Sequence, residues 1–179
     1  MRGISLRCGI RWALVASALL RAAPSSAQQS SSSLGLAAGA VVPVGRYADT
    51  KNPGYHLGLA LNLGTALPHL DVRVDGAFAE LKYKGSSTKE QIWLLDANLV
   101  ARGPDVARSA PYLIGGLGFY NRRRTLLLGS NASSHVGLNG GAGIRFRAGS
   151  GYVFVESRYH AALGSSDLRI VPVTIGVSF

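Results

Sequence analysis

From Leu34 onward the chain alternates large apolar residues with small or polar ones, and it does so in eight separate runs. Strict alternation places the two sets on opposite faces of a strand. The predicted strands are 34–44, 55–63, 70–81, 91–102, 111–120, 135–147, 152–160 and 170–179. The last run is the clearest. Val171, Val173, Ile175, Val177 and Phe179 share one face, and Pro172, Thr174, Gly176 and Ser178 share the other. In the third run Leu70, Val72, Val74 and Phe78 oppose Asp71, Arg73, Asp75 and Ala77. In the fourth, Trp93, Leu95, Ala97 and Leu99 oppose Asp96, Asn98 and Arg102. No amphipathic helix of useful length interrupts the series. Strands that are oily on one side and small or ionic on the other suit the wall of a β-barrel in lipid, so the expected fold class is all-β: an eight-stranded antiparallel up-and-down transmembrane β-barrel.

Energy decides which face looks outward. One face carries Asp71, Arg73, Asp75, Asp96, Arg102, Arg145, Arg147, Glu156 and Arg158. A slip of one residue would turn these groups into hydrocarbon. Each arginine near a bilayer midplane would cost about 2–4 kcal/mol. Several such terms together exceed the roughly 5–15 kcal/mol that holds a typical domain together. The charged set is therefore assigned to the lumen as an interior ion-pair network. Ten residues at ~3.3 Å each, tilted by ~40°, span about 25 Å, the height of an outer-membrane apolar band. Aromatics fall at two levels. Tyr55, Phe78, Trp93, Phe119 and Tyr159 belong to one rim, and Phe146 and Phe179 to the other.

Residues 1–27 read as a cleaved secretory signal peptide. Arg2, Arg7 and Arg11 precede a short apolar stretch from Trp12 to Leu20, and Ser25-Ser26-Ala27 offers a small-residue cut. That stretch is about half the ~20 residues of a membrane-spanning helix. A polar stub, 28–33, leads into a barrel domain, 34–179. The single cysteine, Cys8, lies in the leader, so the exported chain has no disulfide framework and no thiol metal site. Removing the leader takes four of nineteen basic residues. Fifteen remain against nine acids, a formal charge of +6 instead of +10. Export argues against a nucleic-acid partner. An anionic lipid or lipopolysaccharide surface is the expected one.

With the N-terminus in the periplasm, the outer loops are 45–53, 82–90, 121–134 and 161–168, and the inner turns are 64–69, 103–110 and 148–151. Arg122, Arg123 and Arg124 follow Tyr120 at the outer rim. They are candidate contacts for lipopolysaccharide phosphates or an acidic partner, with a merely solvated loop as the alternative. Leu126-Leu127-Leu128 beside them either dips into the membrane rim, extends a strand or meets a partner. Gly116-Leu-Gly118 and Gly141-Ala-Gly143 lack the third glycine and the following helix of a phosphate loop. Glu156 and His160 share the inner face and read as part of the ion network. No catalytic residue, metal ligand or cofactor site is assigned.

Asp96-Ala-Asn-Leu-Val-Ala-Arg102, Pro111-Tyr-Leu-Ile-Gly-Gly-Leu-Gly-Phe-Tyr120, Gly140-Gly-Ala-Gly-Ile-Arg145, Val155-Glu-Ser-Arg-Tyr159 and Pro172-Val-Thr-Ile-Gly-Val-Ser-Phe179 carry a family resemblance. The chain resembles the small eight-stranded outer-membrane barrels of the OmpA/OmpX type, within the outer membrane protein beta-barrel domain group. The resemblance covers the barrel domain and implies a cell outer-membrane location in a Gram-negative bacterium and a monomer. It also implies that Val171, Val173, Ile175, Val177 and Phe179 form the signal read by the barrel assembly machinery, with periplasmic chaperones escorting the chain. It implies a structural or surface-interaction role without catalysis. The alternatives are a narrow, porin-like channel or carrier for small solutes, a lipid-modifying enzyme, and a water-soluble lipocalin-like barrel with its apolar set inside.

Overall fold

Each of the eight alternating segments forms a strand in the computed structural model, which describes residues 32–126, 129–164 and 167–179. The strands are β1 (Ser33–Pro43), β2 (Gly54–Gly64), β3 (Leu70–Lys82), β4 (Lys89–Arg102), β5 (Ser109–Leu126), β6 (Gly129–Ala148), β7 (Gly151–Ala162) and β8 (Arg169–Ser178). Every strand pairs antiparallel with its sequence neighbours, and β1 pairs with β8 to close the ring. At that seam the amide of Leu34 donates to the carbonyl of Phe179 and the amide of Phe179 to the carbonyl of Leu34, both at 3.0 Å. The leader and most of the polar stub (1–31) lie outside the described residues, as do Leu127 and Leu128.

The expected register holds throughout. Leu57, Leu59, Leu95, Leu113, Leu117, Val136, Val173 and Ile175 stand on the outward face, and Arg73, Asp75, Asp96, Asn98 and Glu156 are buried inside. Leu113 and Leu117 are each 65% exposed, which rules out the lipocalin-like arrangement with its oily set inside. Tyr55, Trp93, Phe119 and Tyr159 form an outward aromatic level near one end, with Phe146 and Phe179 outward near the other.

The connections 44–53, 83–88, 127–128 and 163–168 belong to one end of the cylinder, the loop end, and 65–69, 103–108 and 149–150 to the other, the turn end. The 149–150 turn has two residues, and Gly149 supplies the positive φ (61°) that such a hairpin requires. The first long connection carries one turn of helix, α1 (Arg46–Thr50). The third differs from expectation. Most of 121–134 is strand, because the period-two pattern runs through Arg122 and Arg124 to Leu126 and β6 pairs with β5 from Gly129. β6 meets β7 only from Gly137, so this hairpin stands above the rest of the rim.

Candidate functional site

The lumen is built in four layers, each dictated by which residue types occupy the inward parity of the strands. At the turn end, Arg102 grips Asp71 (Nε to Oδ2, 2.8 Å; Nη2 to Oδ1, 3.1 Å). Arg145 lies 3.8 Å from Asp105 and stacks on the Tyr152 ring at 4.5 Å. Asp71, Arg102, Arg145 and Tyr152, with Arg73, Tyr112 and Phe154, border a chamber of about 420 Å³ that opens at this end.

Above the chamber sits the ionic layer. Glu156 accepts from both Nη atoms of Arg73 at 2.9 Å, from Tyr112 Oη at 2.8 Å and from Arg158 Nε at 2.8 Å. Asp75 accepts from Arg73 Nε (2.8 Å), Asn98 Nδ2 (2.7 Å) and Arg158 Nη1 (3.1 Å). Asp96 is buried 3.8 Å from Arg158. Five expected members, Arg73, Asp75, Asp96, Glu156 and Arg158, thus meet at mid-lumen, and Asp71 and Arg102 pair below them. Arg147 is a correction. Its side chain is exposed at the turn end, where it donates to Tyr152 Oη at 3.2 Å, because β6 runs past the rim there. His160 lies within hydrogen-bond distance of Tyr120 Oη (3.2 Å), and His56 of Thr174 Oγ1 (3.0 Å). Glu156 is saturated by its four donors, so it does not serve His160 as a partner.

The third layer is apolar. Val41, Ala79, Leu81, Ile92, Leu94, Tyr120, Leu168 and Ile170 pack together inside the barrel, with Tyr47 of α1 closing over them. Seven of these occupy inward strand positions near the loop end, where the alternation switches from polar to apolar lining, and Leu168 joins them from the connection just before β8.

The fourth layer is a hub around Glu90, a residue the sequence pattern left in a loop. Glu90 is fully buried and accepts from Tyr47 Oη (2.6 Å), Lys51 Nζ (2.5 Å), Tyr83 Oη (2.7 Å), Arg122 Nε (2.7 Å) and Arg124 Nε (3.2 Å). Lys51 also sits over the Tyr83 ring. Extending β4 by two residues gives Glu90 the inward parity of Ile92 and Asp96, which is the signal that identifies it. The same parity splits the arginine triplet. Arg122 is buried and Arg124 leans over the mouth to Glu90, whereas Arg123 points outward and is exposed. Of the three candidate contacts for lipopolysaccharide or an acidic partner, Arg122 and Arg124 are thus drawn to Glu90 and Arg123 faces outward.

Electrostatics of the hub give it a pH response. Burial pulls the Lys51 ammonium down to about 8, and burial reinforced by Glu90 pushes the Tyr47 and Tyr83 phenols above their ordinary range. Between about pH 8 and the ordinary lysine value of 10.5, a docked Lys51 is neutral and a released one is charged. The released loop then binds more protons, so docking strengthens as pH rises through that window. Above about pH 10 the released tyrosines ionise and the docked ones do not, so docking weakens again. A fluorophore on Asp49→Cys is expected to be most immobile near pH 10. Mobility that stays flat from pH 7 to 11 would count against the hub as the clamp on this loop.

Among the described residues, no three His, Cys, Asp or Glu side chains form a metal-holding group. No protein-family model and no curated protein matches the sequence. Solved structures do resemble the fold. Neisserial surface protein A, from Neisseria, shares 16% identity at a TM-score of 0.66, over 82% of this chain and 94% of that one. The N-terminal beta-barrel domain of Pseudomonas aeruginosa OprF shares 13% at a TM-score of 0.57, over 82% of this chain and 96% of that one. The chain has the closed, all-antiparallel, eight-stranded architecture of the small outer-membrane barrels.

Proposed function

We propose that this protein is an outer-membrane barrel, exported by its N-terminal leader, with a structural or surface-interaction role and no catalysis. One observation carries the reading: the wall is apolar outside while the lumen is blocked by an ionic layer and an apolar layer stacked on it. A wall with so many half-exposed leucines and valines needs a nonaqueous solvent. Eight strands leave an interior just wide enough for side chains, and here they fill it, which supports a plug over a channel. The turn-end chamber stops against Arg73 and Tyr112. The hub and the raised β5–β6 hairpin form the face offered to the exterior, where lipopolysaccharide or an acidic partner meets Arg123. Val171, Val173, Ile175, Val177 and Phe179 keep their proposed role as assembly signal, and the barrel acts as a monomer.

The purified, folded protein is expected to give no resolvable current in a planar bilayer. Cells are expected to carry it in the outer-membrane fraction, with gel mobility that shifts on boiling. Stable, ion-selective steps that vanish when the protein is unfolded would replace this reading with the channel. Modified acyl chains after incubation with lipopolysaccharide would replace it with an enzyme.

A further inference from the structure

The outward columns of β3, β4 and β5 carry cations toward the loop end. Lys82 stands directly opposite Lys89 across the β3–β4 pair, and Arg123 stands opposite Gln91 across β4–β5. All three cations are exposed. Like charges directly opposite on a sheet repel. Among the described residues, the ion pair in this patch is Lys89 Nζ to Glu80 at 2.8 Å. Three cations against one carboxylate leave two positive charges, spread over three strands and so about 10 Å wide. Glu80 and Gln91 form the row beneath Lys82 and Lys89; the buried Glu80 carboxylate holds Lys89 in place, and Gln91 offers its side-chain oxygen to hydroxyl groups.

Next in the same columns come Phe78 and Trp93, edge to face at 5.0 Å. Below them the wall is hollowed. A furrow of about 570 Å³ is lined by Leu36, Leu57, Leu59, Gly76, Phe78 and Trp93. Its floor at Gly76 is open: a β-carbon built there would meet nothing within 4 Å. From Lys82 to Gly76 is six residues, about 20 Å along the strand. One wall therefore presents cations, then a hydroxyl-binding side chain, then aromatics, then an apolar groove, in the order of headgroup and acyl chain.

We propose that this wall binds a bis-phosphorylated, multiply acylated glycolipid of the outer leaflet. Lys82, Lys89 and Arg123 take its phosphates, Gln91 a sugar hydroxyl, and one acyl chain lies past Trp93 over Gly76. The guanidinium fork of Arg123 suits a phosphate. A patch about 10 Å wide is broader than one phosphate, which selects the two-phosphate headgroup over a phospholipid. The proposal rests on the reading of the barrel as an outer-membrane protein, and it moves the lipid contact from the Arg122–Arg124 run to the β3–β5 wall.

Trp93 is the one tryptophan in 28–179 and so reports on its own groove. The refolded protein in zwitterionic micelles is titrated with bis-phosphorylated hexa-acyl lipid A, with the same lipid dephosphorylated, and with phosphatidylglycerol, following Trp93 emission. Lipid A is expected to shift the emission, with dephosphorylated lipid and phosphatidylglycerol each binding at least tenfold more weakly. The Lys82→Gln/Lys89→Gln/Arg123→Gln variant is expected to lose at least tenfold in lipid A affinity and most of its salt dependence. Gly76→Leu, which fills the furrow, is expected to weaken lipid A while leaving its salt dependence intact. Heat-shifted gel migration establishes that each variant is folded. Wild-type affinity in the triple variant or in Gly76→Leu, or equal binding of phosphatidylglycerol, overturns the site and leaves the outer-membrane reading standing. A wild-type chain that stays monomeric in buffer without detergent overturns both.

Discussion

Glu156→Ala is expected to lower the unfolding free energy of the barrel by about 3–5 kcal/mol, the range for stripping one partner from a buried charge pair. Four donors converge on this carboxylate: both Nη atoms of Arg73, Nε of Arg158 and the hydroxyl of Tyr112. Without it, Asp75 is the carboxylate left to Arg73 among the described residues, and Arg158 shares that same Asp75 and the more distant Asp96. Two guanidinium ions then answer to one close carboxylate inside a closed cylinder. The intact network need not be more stable than an all-apolar filling of equal volume, because desolvation offsets much of the attraction. Removing one member is different, since it leaves charge without compensation. Denaturant titration of vesicle-inserted protein measures the loss. Arg147→Ala, at an exposed arginine of the sequence-predicted network, is expected to stay within about 0.5 kcal/mol of wild type. A Glu156→Ala loss below about 1 kcal/mol would mean that the lumen is wet enough to solvate Arg73, and the plug argument would fall with it.

The second large effect belongs to Glu90→Ala, and it should be local. Lys51, Arg122 and Arg124 lose their shared anion, and Tyr47 and Tyr83 lose their acceptor. A buried carboxylate with several cationic partners again implies about 3–5 kcal/mol. Here the stranded groups have an exit. Lys51 and Tyr47 sit in or beside α1, in the connection from Val44 to Pro53, and that connection can lift into water. The expected result is faster trypsin cleavage at Arg46 and Lys51, by at least tenfold, with a smaller shift of the global midpoint than Glu156→Ala gives. Cleavage at the wild-type rate would show that the apolar contacts of Tyr47 hold the loop without the hub.

Strand alternation is a local property, so it was legible. Side chains such as Leu95 and Asp96 announce opposite faces with no knowledge of their neighbours in space. Long-range pairing was legible only by type. Arginines and acids of like number predict pairing, yet nothing in sequence says that Arg73 would choose Glu156 over Asp71. Glu90 was missed because its role depends on three separate segments: Lys51 and Tyr47 after β1, Tyr83 after β3, and Arg122 with Arg124 on β5. Its parity was readable once β4 was extended by two residues. The apolar lumen layer was readable in the same way, since Leu81, Ile92 and Ile170 break the polar inner pattern at one end of their strands. Arg123 parts from its neighbours for the same reason, and only the register across β3, β4 and β5 sets it beside Lys82 and Lys89.

The seam between β1 and β8 has a temporal consequence. Nine residue pairs join these two strands, from Gly35 with Ser178 to Pro43 with Ile170. A nascent chain that has built seven strands is still a curled ribbon with two ragged borders, each a row of thirsty amides and carbonyls. In hydrocarbon each of those groups would cost several kcal/mol, so the half-made ribbon has no resting place there. For a barrel in the proposed outer-membrane setting, entering the bilayer and sealing the ring are therefore expected to be one all-or-none event. If the chain does enter a bilayer, as proposed, the open ribbon is expected to be shielded in water until then, and refolding from urea into detergent micelles is expected to be slow.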